Sequence, residues 1–144
     1  MKRLLLAWLL PAAILLGGCS LLSQSPPAVG PVTLTDKVAE KTMAPLNPTD
    51  KFSTATQLIY ASALVQNARK GTRVDAEWTF DKEGQGTYVP VDSSGVTFPQ
   101  AGKENYVAFS LKAVTTFMPG TYKVRILLDG KPAREATFTI AEKQ

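Results

Sequence analysis

Cys19 is the only cysteine of this chain and its most chemically capable side chain. A thiol, once ionised, is a strong nucleophile and can carry a covalent group. Leu16, Gly17 and Gly18 precede it, and the two glycines leave the backbone open to the close approach of a peptidase. The spacing therefore predicts a processing site at the cysteine.

The residues before this site have the order of an export signal. Lys2 and Arg3 form a positive start, and residues 4–16 are mostly apolar, with a break at Pro11. A membrane-spanning helix needs about 20 apolar residues, so a run this short is typical of a secretory signal.

The sequence Leu16-Gly17-Gly18-Cys19 closely resembles the lipobox of bacterial lipoproteins. In that family the cysteine sulfur receives a diacylglyceryl group, the chain is cleaved before it, and the new amino group is usually acylated. The resemblance implies a signal peptide over 1–18 and a lipid bilayer as partner through acylated Cys19. Ser20 resembles the residue of lipoproteins sorted to the outer membrane, facing the periplasm, when the host has two membranes.

The rest of the chain excludes several kinds of chemistry. It has no histidine, which removes Ser-His-Asp and Cys-His catalysis and histidine metal ligands. A lipidated Cys19 would leave no thiol for a disulfide or a nucleophile. We therefore expect no catalytic residue, no metal and no cofactor.

The acidic residues that lie close in sequence have a simpler explanation than catalysis. Asp75 and Glu77 are two residues apart, which places them on the outer face of one strand with Arg73. Lys123 and Arg125 are expected on a neighbouring strand, so the carboxylates should form solvated ion pairs. Asp81, Glu83 and Asp92 match no calcium-loop spacing and indicate a solvated turn instead.

Charge gives no case for a nucleic-acid partner. Removal of 1–18 leaves 126 residues with 14 basic and 12 acidic side chains, a net charge of +2. Nucleic-acid binding requires a clustered basic face, which this pattern does not indicate.

The mature chain divides into a tether and one domain. The tether is predicted over 19–49, because it contains five of the ten prolines and little that could be buried. A short element at 32–34 or 35–43 remains open. The domain is predicted over 50–144.

Alternation of apolar and polar residues predicts strands at 72–80, 106–111, 121–128 and 132–141. Asp129-Gly130 predicts a tight hairpin between the last two. Residues 57–65 fit a helix or a strand, and we favour the strand. A short edge strand is expected at 87–91 and a loop over 92–102, with a brief strand at 96–98.

Two features of this pattern resemble immunoglobulin-like and fibronectin type III-like domains. Trp78 lies in the middle of a strand where that fold places its core tryptophan, and the run 119–124 resembles the entry to the sixth strand, with Tyr122 capping a corner. The resemblance implies one cysteine-free, all-β antiparallel sandwich of about seven strands, with both aromatic rings in its core.

One predicted face carries more apolar surface than a soluble monomer usually exposes. If Ile59 and its alternate neighbours point inward, Leu58, Tyr60 and Leu64 point outward, and Leu127 has the same position on another strand. These four residues predict a protein contact, unless residues 32–46 cover the face.

We therefore expect a membrane-anchored envelope lipoprotein that acts as a non-catalytic binding or scaffolding module, with an envelope protein as partner. The alternatives are a carbohydrate- or peptide-binding accessory to a cell-wall enzyme and, with less support, a carboxylate-based hydrolase.

Overall fold

The computed structural model describes residues 24–144, and these form two packed β-sheets with no helix among them. One sheet has three strands in the order β1-β3-β6, and the other has five in the order β2-β8-β7-β4-β5. The predicted all-β sandwich is confirmed. Its strands are β1 (Ala28–Thr35), β2 (Lys51–Ser53), β3 (Leu58–Ala68), β4 (Arg73–Asp81), β5 (Val89–Thr97), β6 (Gly102–Lys112), β7 (Gly120–Leu128) and β8 (Lys131–Ala141).

The core lies between the sheets and follows the alternation of the sequence. On β4 the inward residues are Val74, Ala76, Trp78 and Phe80, all of which are buried. The Trp78 ring meets the edge of Phe138, with 6.0 Å between ring centroids. Because no disulfide is available, apolar burial of this kind must supply the stability of the sandwich.

The hairpin between β7 and β8 has the predicted geometry. Asp129 and Gly130 have φ angles of 49° and 79°. Positive φ at both central residues matches the right-handed twist of the two strands. The Asp129 side chain accepts a hydrogen bond from the Arg73 backbone N–H at 2.9 Å, which fixes the turn to the start of β4.

The entry to β7 contains a tyrosine corner. Gly120 has a φ of 147°, and a Cβ at this position would lie 2.7 Å from the Phe80 ring, so glycine is required. Two residues later, the buried Tyr122 donates its hydroxyl to the Met118 carbonyl oxygen at 3.0 Å.

Substitution of Tyr122 by phenylalanine should lower the free energy of unfolding by about 1 kcal/mol, since it removes one hydrogen bond and little volume. Burial also raises the pKa of the Tyr122 hydroxyl above its ordinary value of 10.0, because the ionised form would lie away from water. The folded state favours the neutral hydroxyl. The resulting contribution of Tyr122 to the free energy of unfolding is therefore complete well below pH 10 and is lost as the pH rises further. The free energy of unfolding, measured by denaturation at pH 8 and above pH 10, should decrease more for wild type than for Tyr122→Phe. Equal losses would contradict this role.

The predicted boundary between tether and domain is wrong. Residues 28–35 form β1, which pairs antiparallel with β3 and buries Val29 and Leu34. The register shifts between Val29 and Val32, so the strand bulges around Gly30-Pro31. An edge strand tolerates proline at such a bulge because one side of its backbone is unpaired. The domain therefore begins near residue 28, and the stretch 28–49 is not a free tether.

The prediction of a loop over 92–102 is also wrong for residues 92–97, which belong to a strand. Residues 89–97 form one continuous edge strand, β5, that pairs with β4. Every residue of β5 is exposed, so its sequence has no burial pattern to read. Pro90 lies in it, next to a register shift opposite Trp78 and Thr79.

Candidate functional site

The outer face of the three-stranded sheet brings together three of the residues predicted to contact a partner. Residues 57–65 do belong to a strand, β3, and Leu58, Tyr60 and Leu64 point away from the core. Each is half-buried, and Leu64 lies directly opposite Tyr106 of β6.

A covering loop, residues 36–48, folds back over this face. Ser62 is completely buried beneath it and donates its hydroxyl to the Met43 carbonyl oxygen at 2.7 Å. The buried Thr35 hydroxyl holds the base of the loop, because it donates to Lys37 and accepts from the Asn47 backbone N–H. The face is therefore partly covered, as the alternative for residues 32–46 anticipated.

What remains open is a cleft of about 510 Å³ between the covering loop and the sheet. Tyr106 and Met43 border it with 39% and 40% of their surfaces exposed. Lys41 and Glu104 add one charge of each sign. The cleft thus combines an aromatic ring, a flexible apolar side chain and polar groups, a lining that is common in binding sites.

Leu127 does not join this surface. It lies on β7, opposite Asp75, and points to the outer face of the five-stranded sheet on the other side of the sandwich. The four predicted contact residues therefore belong to two separate faces, and only Leu58, Tyr60 and Leu64 share one.

The carboxylates of β4 are held by arginines, as expected. Asp75 lies 2.7 Å from the Arg73 guanidinium, and Glu77 lies 2.6 Å from that of Arg125. These side chains form a solvated charged face. Neither carboxylate is in an apolar pocket of the kind that would make it a general acid.

The acidic loop after β4 is organised by its own backbone. Asp81 is buried, and its carboxylate accepts hydrogen bonds from the backbone N–H groups of Gln85 and Gly86. Within residues 24–144 no three Asp, Glu, His or Cys side chains converge as a metal site would require.

The processing site, Leu16, Gly17, Gly18 and Cys19, lies outside the described residues. The part of the chain that is described contains no helix with the length and hydropathy needed to cross a bilayer.

Sequence reasoning missed Tyr106 and the covering loop as parts of the site. Tyr106 was expected only as the start of a strand, and residues 36–48 contain prolines and charges that are typical of a linker. Ser62 was the available signal, since a small polar residue between Tyr60 and Leu64 indicates that something must satisfy its hydroxyl.

No family model and no curated protein sequence matches this chain. An immunoglobulin-like protein from Pseudomonas aeruginosa has a similar structure, with a TM-score of 0.50 and 10% identity over 82% of this chain and 98% of that one. The likeness shows the fold alone, an immunoglobulin-like β-sandwich.

Two further solved structures have weaker likeness. A β-glucosidase from Erythrobacter marinus gives a TM-score of 0.48 at 12% identity, over 80% of this chain but only 15% of the enzyme. The CARDB domain of a Pyrococcus furiosus protein gives 0.45 at 11% identity, over 81% and 96% of the two chains.

Proposed function

We propose that this protein is a lipid-anchored lipoprotein of the bacterial envelope whose sandwich is a non-catalytic binding or scaffolding module. The observation that carries the proposal is Leu16-Gly17-Gly18-Cys19, which ends nine residues before β1. Cleavage before Cys19 would leave the acylated sulfur next to a folded domain. Each buried acyl CH₂ contributes about 0.8 kcal/mol, so two or three chains hold a protein on a bilayer stably.

The surface proposed for an envelope protein partner is the outer face of the three-stranded sheet with its cleft. Leu58, Tyr60 and Leu64 supply apolar contact area there, and Tyr106 and Met43 extend it into solvent. Aromatic and methionine side chains are enriched at protein interfaces, whereas the charged face of β4 has the composition of ordinary solvated surface. Leu127 is half-buried between Asp75 and Pro132 on the opposite side of the sandwich, so it is not part of this proposed surface.

Substitution of Cys19 by alanine should abolish acylation, because it removes the only thiol of the chain. We expect labelled palmitate to enter wild type but not Cys19→Ala, and the wild-type N-terminus to map to residue 19. Cys19→Ala should also remain uncleaved and keep residues 1–18. Ser20→Ala is the matched control and should be acylated normally. Wild-type protein without palmitate, or with its N-terminus elsewhere, would refute the anchor.

A second candidate function, binding of a cell-wall glycan, is favoured by Tyr106, whose ring borders a cleft with charged groups. If a sugar ring stacks on Tyr106, the protein should bind isolated peptidoglycan. Tyr106→Ala should then weaken this binding roughly two- to tenfold. Tyr88→Ala is the control, since Tyr88 lies beneath Lys123 on the other sheet. If Tyr106→Ala and Tyr88→Ala bind peptidoglycan equally well, glycan binding at this face is refuted and the contact with a protein partner remains its proposed function.

A further inference from the structure

One end of the sandwich, here called the near end, is formed by residues 67–72, 98–103 and 129–131. Backbone hydrogen bonds hold these segments in place: Gly71 donates its N–H to the Phe98 carbonyl oxygen, and Asp129 donates its own to the carbonyl oxygen of Arg73, the first residue of β4. The chain enters the structure at the same place, because Gln24 and Ser25 line a shared cavity there with Arg69, Lys103 and their neighbours.

The near end is distinctly basic. Arg69, Lys70, Lys103 and Lys131 are all exposed, and none takes part in a salt bridge within residues 24–144. Two acids lie in or beside these segments: Asp129, which is occupied with the Arg73 backbone, and the exposed Glu104, which lines a cavity with Lys103, so the basic residues remain in excess. By contrast, segments 36–51, 81–88, 112–119 and 142–144, from the covering loop and the far end, contain six basic and six acidic residues. The excess positive charge is therefore confined to the end where the chain enters.

The distance to the lipidation site is short. Cys19 precedes Gln24 by five residues, and a fully extended chain covers at most about 3.6 Å per residue, or roughly 18 Å here. A tether over 19–49 would have let the domain move far from the membrane. With β1 beginning at residue 28, an acylated Cys19 instead keeps the near end beside the lipid headgroups.

We propose that the near end is a membrane-contact surface whose four basic side chains bind the headgroups of anionic phospholipids in the bilayer that holds the anchor. This inference rests on the proposed lipid anchor. Electrostatic attraction acts over about 8 Å at physiological salt, a distance that the short leash makes accessible. Each basic residue near an anionic surface strengthens binding about fivefold. The contact orients the sandwich so that the far end points away from the membrane.

The test uses the full-length lipidated protein on phosphatidylcholine vesicles with or without phosphatidylglycerol, carrying a nitroxide on some headgroups. A fluorophore is placed at the near end by Gln100→Cys or at the far end by Gln85→Cys, both of which are exposed positions. An acylated Cys19 has no free thiol, so each introduced cysteine is labelled alone. With phosphatidylglycerol, we expect the near-end label to be quenched severalfold more than the far-end label. The difference should shrink at high salt or without the anionic lipid.

The combined variant Arg69→Gln, Lys70→Gln, Lys103→Gln and Lys131→Gln should lose this difference. A matched variant with four far-end lysines changed, Lys51→Gln, Lys82→Gln, Lys112→Gln and Lys143→Gln, should keep it, and circular dichroism verifies that both variants are folded. Equal quenching of both labels, or a difference that survives in the near-end variant, would overturn the proposal. Failure of wild type to float with vesicles would instead show that the anchor itself is absent, and the two failures are thus distinguished.

Discussion

A Trp78→Ala protein is expected to lose about 3–5 kcal/mol in its free energy of unfolding, the range for deletion of a large core aromatic. Trp78 is completely buried between the sheets and packs edge-on against Phe138. Alanine would leave a cavity that strands on both sides are too constrained to fill. Urea denaturation followed by far-ultraviolet circular dichroism measures the loss, since the substitution removes the natural fluorophore of the domain.

The matched control is Trp78→Phe, which should cost considerably less. The indole Nε1–H of Trp78 is buried and has no hydrogen-bond partner among residues 24–144. An unsatisfied buried donor costs about 1–3 kcal/mol, so replacement by phenylalanine relieves that cost while it keeps most of the volume. A near-zero loss for Trp78→Ala would place the ring outside the core and would revive the interpretation of Trp78 as a ligand-stacking surface.

A chain that begins at residue 50, the boundary indicated by composition, should be largely unfolded, whereas one that begins at residue 24 should fold. The shorter chain lacks β1 and with it the buried Val29 and Leu34. Burial of each such side chain is worth about 1.5–3 kcal/mol, and the pairing of β1 with β3 is lost as well. Total stability of a domain is only about 5–15 kcal/mol, so this loss removes most of it.

A third chain, beginning at residue 28, separates the strand from the residues before it. It retains all of β1 and should unfold at nearly the same urea concentration as the chain from residue 24. Cooperative unfolding of the residue-50 chain with wild-type stability would show that β1 contributes nothing. The measurement for all three chains is urea denaturation monitored by the fluorescence of Trp78.

The strands that were predicted correctly are those with one buried face. The strand at 72–80 alternates because Val74 and Phe80 face the other sheet while Arg73 and Glu77 face water. The hairpin at Asp129-Gly130 was predictable for a local reason, because two consecutive residues must have positive φ. In these stretches local sequence and global packing agree.

The elements that were missed, β1 and part of β5, are edge strands. β1 contains Gly30-Pro31, which would break a central strand but fits a bulge at an edge. β5 was predicted only at its two ends, by the strands expected at 87–91 and 96–98, because it has no buried face whose alternation would mark the whole strand. Both strands form because their backbones pair with a neighbouring strand, β3 for β1 and β4 for β5. The sequence of the edge strand itself does not reveal that partner.

The candidate site was predictable only in part, for the same reason. Parity along β3 placed Leu58, Tyr60 and Leu64 on one face. It gave no information about which strands are neighbours, so Leu127 was grouped with residues on the opposite side of the molecule. Tyr106 joined the site through its pairing with Leu64, a contact between residues distant in sequence.

If the proposed lipid anchor confines this protein to a membrane surface, the irregularities of β5 have a consequence for contacts between its copies. Copies held on one membrane meet at far higher local density than in solution, and a regular free strand edge would let them join into polymers. Pro90 removes a backbone donor from this edge, and the shifted register beside it distorts the repeat that a second strand would need to match. We expect these two irregularities to keep crowded copies separate, which leaves each sandwich free to meet a different molecule.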